Sequence, residues 1–203
     1  MSLDFTKQMK KEYTIIAPDI FPTHMELLSE LFRQYGYKLE VVHYEGKEVI
    51  DEGLAHIHND MCYPAICMAG QQLYALKCGD FDPHKSALIQ FQTGGGCRAS
   101  NYICLLRKAL KNMGMEYVPI ISLSFTGIEK YSGFKITPLM LLSGIRSLVY
   151  GDMLMLLKNQ TLPYEVNKGD TDKTVKKWID ILTEQFRHKK GLTSRAMKKN
   201  LEG

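Results

Sequence analysis

The chain has 203 residues, of which 45% are hydrophobic, 24% charged and 10% aromatic. That is enough apolar material for one large domain with a small helical appendage, and it excludes disorder as the default state. Lys and Arg number 26 and Asp and Glu 22, a net +4, but ten of the basic and six of the acidic residues lie in residues 165–203. Residues 1–164, with 16 of each sign, are neutral, so no basic face for nucleic acid is organised on the folded part.

Five cysteines without even spacing do not form the framework of a secreted disulfide module and point to a reducing, cytoplasmic setting. Met1 to Lys11 has no apolar core of a signal peptide. Met1-Ser2-Leu3 and Glu202-Gly203 read as cloning remnants, which predicts an interior piece of a longer polypeptide.

Taken in order, short apolar runs alternate with helical stripes. Tyr13–Ala17 reads as a first strand, broken by Pro18 and Pro22. His24–Tyr35 is a helix with Leu27, Leu28, Leu31 and Phe32 on one face, closed by Gly36. Lys38–His43 is the second strand. Glu48–Ala55 is a short helix, and Tyr63–Lys77 a longer one with Pro64 in its first turn. Ser86–Phe91 is the third strand, Ala99–Met113 a helix, and Tyr117–Ser122 the fourth strand. Thr137 and Pro138 start a long apolar helix. It approaches membrane-span length, but Arg146, Asp152, Gly144 and Gly151 mark it as a buried core helix, and no membrane contact is expected. Thr171–His188, around Trp178, is the last helix, and Lys189–Gly203 a frayed basic tail.

This βαβα order predicts an α/β fold: a Rossmann-like or flavodoxin-like three-layer domain with a mainly parallel sheet over 1–164, followed by a C-terminal helical extension over 165–203. Such folds bind ligands beyond the carboxyl ends of their strands. The segments of interest are therefore 18–23, 92–99 and 123–133.

Thr93-Gly94-Gly95-Gly96-Cys97-Arg98 is the most unusual of these. Three glycines between a strand and a helix free the backbone to turn N–H groups toward an anion. The loop is neither a Walker A nor a GxGxxG, and a tight turn is the plain alternative. A thiol at a helix start beside Arg98 is expected to favour thiolate, as nucleophile or metal ligand. Cys62, in His58-Asn59-Asp60-Met61-Cys62-Tyr63-Pro64, likewise precedes a helix. Cys67, Cys78 and Cys104 read as buried thiols. His56 and His58 could join Cys62 at a zinc ion, although loop histidines at the surface are commoner.

Four segments together resemble a known family: Phe5 to Pro18, Asn59-Asp60-Met61-Cys62-Tyr63-Pro64-Ala65, Gln92-Thr93-Gly94-Gly95-Gly96-Cys97-Arg98-Ala99-Ser100-Asn101-Tyr102, and Val118 to Leu123. The chain from about Phe5 to Tyr164 is similar to the activase-related proteins of the 2-hydroxyacyl-CoA dehydratase system, also described as (R)-2-hydroxyglutaryl-CoA dehydratase activator or CoA-substrate-specific enzyme activase proteins. These join ATP-dependent activator modules to a part like a dehydratase component. The resemblance implies an oxygen-sensitive [4Fe-4S] cluster used for low-potential electron transfer in anaerobic bacteria. It implies Cys62 and Cys97 as ligands, Gly94, Gly95 and Gly96 as backbone donors to cluster sulfides, and Arg98 as a charge-balancing neighbour. It also implies a third ligand in a following subdomain. The partners it implies are the remaining subdomains of a larger polypeptide, an ATP-dependent activator module, and acyl-CoA. Two other readings stay open: a module binding acyl-CoA or another phosphorylated ligand at the glycine loop, and a structural docking domain presenting the apolar helix after Pro138.

Overall fold

The computed structural model describes residues 3–92, 101–124 and 133–202. The elements in chain order are α1 (Met9–Glu12), β1 (Thr14–Pro18), α2 (Pro22–Gln34), β2 (Lys38–Val42), α3 (Lys47–His56), α4 (Tyr63–Lys77), β3 (Ser86–Gln92), α5 (Tyr102–Asn112), β4 (Ile120–Ser124), α6 (Pro138–Thr161), α7 (Asp170–Arg187) and α8 (Ser194–Glu202). The protein is α/β. Among the described residues four strands run parallel in the order β2-β1-β3-β4, the order of the flavodoxin-like member of the Rossmann-type folds. A helical region follows at the C-terminal end.

Packing divides the chain into two units, Met1–Ile20 with Tyr37–Lys135, and Phe21–Gly36 with Ile136–Gly203. The expected boundary between residues 164 and 165 falls inside the second unit. The first unit holds the sheet. Ile16, Val42, Leu88 and Ile120 point to one face and pack with Ile66, Ala69 and Leu73 of α4 and Ile103, Leu106 and Leu110 of α5. The alternate positions Ile15, Leu39, Ile89 and Ile121 are buried as well. Strands buried on both sides read as unbroken apolar runs, which is why YTIIA and SALIQF are legible as strands.

The pose of α4 is set by α3. A Cβ on Gly70 would overlap the carbonyl of Val49, and one on Gly53 the carbonyl of Ile66, so the two helices cross with their backbones in contact. Buried Glu52 of α3 ties the crossing to Lys77 at 2.6 Å and to His56 at 3.1 Å. His56 is the last residue of this helix.

The second unit packs α2, α6 and α7 around Leu27, Tyr150, Leu154, Ile179, Leu182 and Phe186. Thr137 caps α6 as its sequence suggests, accepting a bond from Met140 N at 3.1 Å. Two expectations are corrected here, and one short helix is added to them. The residues read as a frayed tail include the helix α8, tied in by Asn200 Nδ2 donating to Tyr150 Oη at 2.9 Å and by Arg146 donating to Leu192 O at 2.6 Å. The short α1 carries no sequence signal of its own. Finally, α6 is not a buried core helix. Within Pro138–Tyr164 an 18-residue stretch has a mean hydropathy of 1.4, enough by length and composition to cross a membrane, yet only 33% of that stretch is buried.

Candidate functional site

Three polar groupings lie along α4: one at its start, one against the middles of β1 and β3, and one at the carboxyl ends of β1 and β2. Cys62 is the N-cap residue of α4, with extended backbone (φ −62°, ψ 144°) and no side-chain capping bond. Pro64 follows within the first turn, where its missing N–H costs nothing. The thiol is exposed, and its Sγ lies 3.1 Å from the hydroxyl of Tyr102, the first residue of α5. The start of α4 and the start of α5 therefore meet through these two side chains. Tyr102 follows directly on the segment containing the glycine motif.

Below this pair sits a layer of amides. Gln72 is fully buried and donates from Nε2 to the carbonyls of Ile16 at 3.0 Å and Ile89 at 2.9 Å, tying α4 to β1 and β3. Gln90 Nε2 donates in turn to Gln72 Oε1 at 3.1 Å. Gln90 is 1% exposed, yet its Oε1 has no hydrogen-bond partner among the described residues. Beside it is a cavity of about 10 Å³ bordered also by Tyr102, Ala65 and Leu106, room for a single water-sized donor.

The neighbouring Gln71 serves the β1 and β2 ends. Its Oε1 accepts from Asp19 N at 2.9 Å and its Nε2 donates to Tyr44 O at 3.1 Å. Asp19, one residue past β1, accepts from His43 Nδ1 at 2.7 Å, one residue past β2. That bond fixes the orientation of the ring. Tyr44 donates to Asp80 through a short bond, and Cys78 Sγ lies 3.6 Å from the same hydroxyl. Burial first, then the bond to Asp80, pushes the Tyr44 phenol well above its ordinary value.

Among the residues singled out from sequence, Cys62 is found where expected, at an exposed helix start. Gly94, Gly95, Gly96, Cys97 and Arg98 lie outside the described residues, and so does the expected proximity of Cys62 to Cys97. The reading of three thiols as buried is corrected: Cys78 and Cys104 are exposed, and Cys67 is half-buried. Among the described residues no three His, Cys, Asp or Glu side chains gather to hold a metal, so His56 and His58 do not join Cys62 in a zinc site. Sequence reasoning misses the Asp19–His43 pair; two polar residues 24 positions apart carry no signal until parallel pairing of β1 with β2 brings their ends together.

The chain matches no family model, no curated protein and no solved structure with which it was compared.

Proposed function

We propose that this chain is part of an iron-sulfur protein of the 2-hydroxyacyl-CoA dehydratase activase-related kind, with Cys62 and Cys97 among the ligands of a [4Fe-4S] cluster. The observation that carries the reading is the hydrogen-bond contact of Cys62 with Tyr102. It links the one motif thiol among the described residues to the helix that emerges from the other motif. Tyr102 is five residues from Cys97, a span of at most about 18 Å when fully extended.

The residues present fit one corner of such a group and not the whole. Cys62 supplies an accessible sulfur at a helix start, where backbone N–H groups face outward and favour a thiolate. Tyr102 supplies a hydroxyl able to donate to that sulfur, the kind of outer contact that tunes a ligand. When bound, the cluster provides single-electron transfer at low potential. The chain's part is to present thiolates, to hold them with Tyr102 and the Gln72–Gln90 layer, and to balance charge through Arg98. Further ligands, an ATP-dependent activator and an acyl-CoA belong to partner subdomains in a reducing cytoplasm.

The test is strictly anaerobic reconstitution of the chain with iron and sulfide, with a small thiol added to complete the ligand set, read by visible absorption and EPR. The expected outcome is a cluster spectrum that Cys62→Ala and Cys97→Ala each abolish and Cys104→Ala leaves intact. Iron uptake by the wild type no greater than by the Cys62→Ala/Cys97→Ala double variant would remove the reading.

A further inference from the structure

Helix α6 has two faces of opposite standing. Met140, Ser143, Ser147, Tyr150, Gly151 and Leu154 are buried, facing α2 and α7. Leu141, Leu142, Ile145, Leu148, Val149, Met155 and Leu156 are exposed, Ile145 at 51% and Leu156 at 50%. At 3.6 residues per turn these seven form one stripe opposite the buried face. Within it Leu142, Ile145, Val149, Asp152 and Leu156 recur at alternating steps of three and four, and Leu141, Leu148 and Met155 flank them at steps of seven. A seven-residue repeat is the pattern of a seam against another helix, not of a face turned to water.

We propose that this stripe is the contact of a homodimer, in which α6 packs antiparallel on α6 of a second copy about a twofold axis near Val149. Area argues for a full interface. The stripe exposes on the order of 600 Å² of apolar surface, and Leu139 and Leu157 at its flanks raise this to about 800 Å², what one partner brings to an interface of standard size. It also exceeds the largest apolar patch of most monomers. A second copy answers the stripe along its whole length, and an isologous pairing closes on itself.

Asp152 sets the orientation. It is the one charged residue on the seam, its side chain 69% exposed. Parallel pairing would set the two Asp152 carboxylates against each other at one core position. Antiparallel pairing about Val149 places each against Ile145 of the other copy and separates them by about 9 Å along the helix axis. Each carboxylate also brings its own partner into the contact: His24 Nε2 donates to Asp152 Oδ1 at 3.0 Å, and the His24 ring lies against Gly151, where no larger residue would fit. A charge that is already paired can be covered by protein, whereas hydrocarbon would offer it nothing. That favours a second copy over a lipid surface.

The test is the mass of the full chain by light scattering and sedimentation velocity across micromolar concentrations. The expected species is a dimer of the 23.2 kDa chain. Ile145→Glu and Leu148→Glu should each weaken association about 100-fold or more, and Ile145→Ala about 10-fold, with far-UV circular dichroism unchanged. Leu201→Glu, at an exposed apolar position on α8, should leave the dimer intact. A monomer at every concentration, or a dimer indifferent to both charge substitutions, would overturn the proposal. So would a monomer that binds phosphatidylcholine/phosphatidylglycerol vesicles and loses that binding with Ile145→Glu.

Discussion

Helices α4 and α6 are both built largely of apolar residues, yet α4 buries nine of its fifteen residues and α6 only six of its twenty-four. In α4 the buried set includes Gly70, Gln71 and Gln72, none of them a hydrophobic side chain. The glycine lets α3 approach to backbone contact, and the two amides find carbonyls and a backbone N–H to bond. In α6 one face is met by α2 and α7, while the other exposes mostly apolar side chains, with Asp152 the one charge among them. What separates the two helices is the geometry of their neighbours. That geometry is carried by small and polar residues, not by the leucines.

Glycine substitutions break this comparison most sharply. Gly70→Ala puts a methyl group into the carbonyl of Val49, and only a shift of one helix relieves it. The expected loss is about 3 kcal/mol, read as a lower urea midpoint, with increased exposure of the Cys62 region to alkylation. Gly144→Ala on α6 has its nearest neighbour, a Leu31 side-chain carbon, at 3.9 Å. Removing a helical glycine there should stabilise by up to about 1 kcal/mol. Equal effects at the two positions would mean that α3 and α4 are not in backbone contact.

The next effect separates buried from exposed polarity. Gln72→Leu removes the donor to Ile16 O and Ile89 O and leaves Gln90 Nε2 without its acceptor. A cost of about 2–3 kcal/mol is expected. Leu142→Gln, on the exposed face of α6, should change monomer stability by less than about 0.5 kcal/mol. Chemical denaturation of both variants below the association threshold checks this.

The strands and the crossover helices are legible in the sequence because fully buried parallel strands leave apolar runs and helices leave a 3.6-residue stripe. Prolines and glycines mark the ends: Pro64 and Pro138 fall in first turns, and Gly36 and Gly114 have positive φ. Less is legible where stability is borrowed from afar. The helix α8 is rich in lysine and has no buried residue, so its pattern resembles a tail; it is fastened through Asn200 to Tyr150, 50 positions away. The exposed face of α6 cannot be told from a core face, since periodicity reports which side is apolar and not whether anything lies against it. Of the candidate site, Cys62 at a helix start is legible from Pro64 and the spacing. The partnership with Tyr102 is not, because it depends on how α4 and α5 are placed on the sheet.

The smallest expected effect compares two helix starts. At α4 the cap residue is Cys62, whose side chain makes no capping bond. At α7, the helix that follows α6, the Glu165 carboxylate accepts from Gly169 N at 2.8 Å and Thr171 N at 3.1 Å. Those backbone bonds, that from Gly169 foremost, hold the Glu165 carboxyl below its usual range. A carboxyl depressed on folding contributes stability above its unfolded value of about 4.3 and loses it as pH falls toward the folded one. Wild-type α7 should therefore fray as pH drops below about 4.3, and Glu165→Gln should already be frayed at neutral pH, its difference from wild type vanishing in acid. Amide hydrogen exchange at Thr171 and Asp172 reads this directly. A pH-independent difference would mean that the carboxylate's charge plays no part at the α7 start, and that the two helix starts differ only in shape.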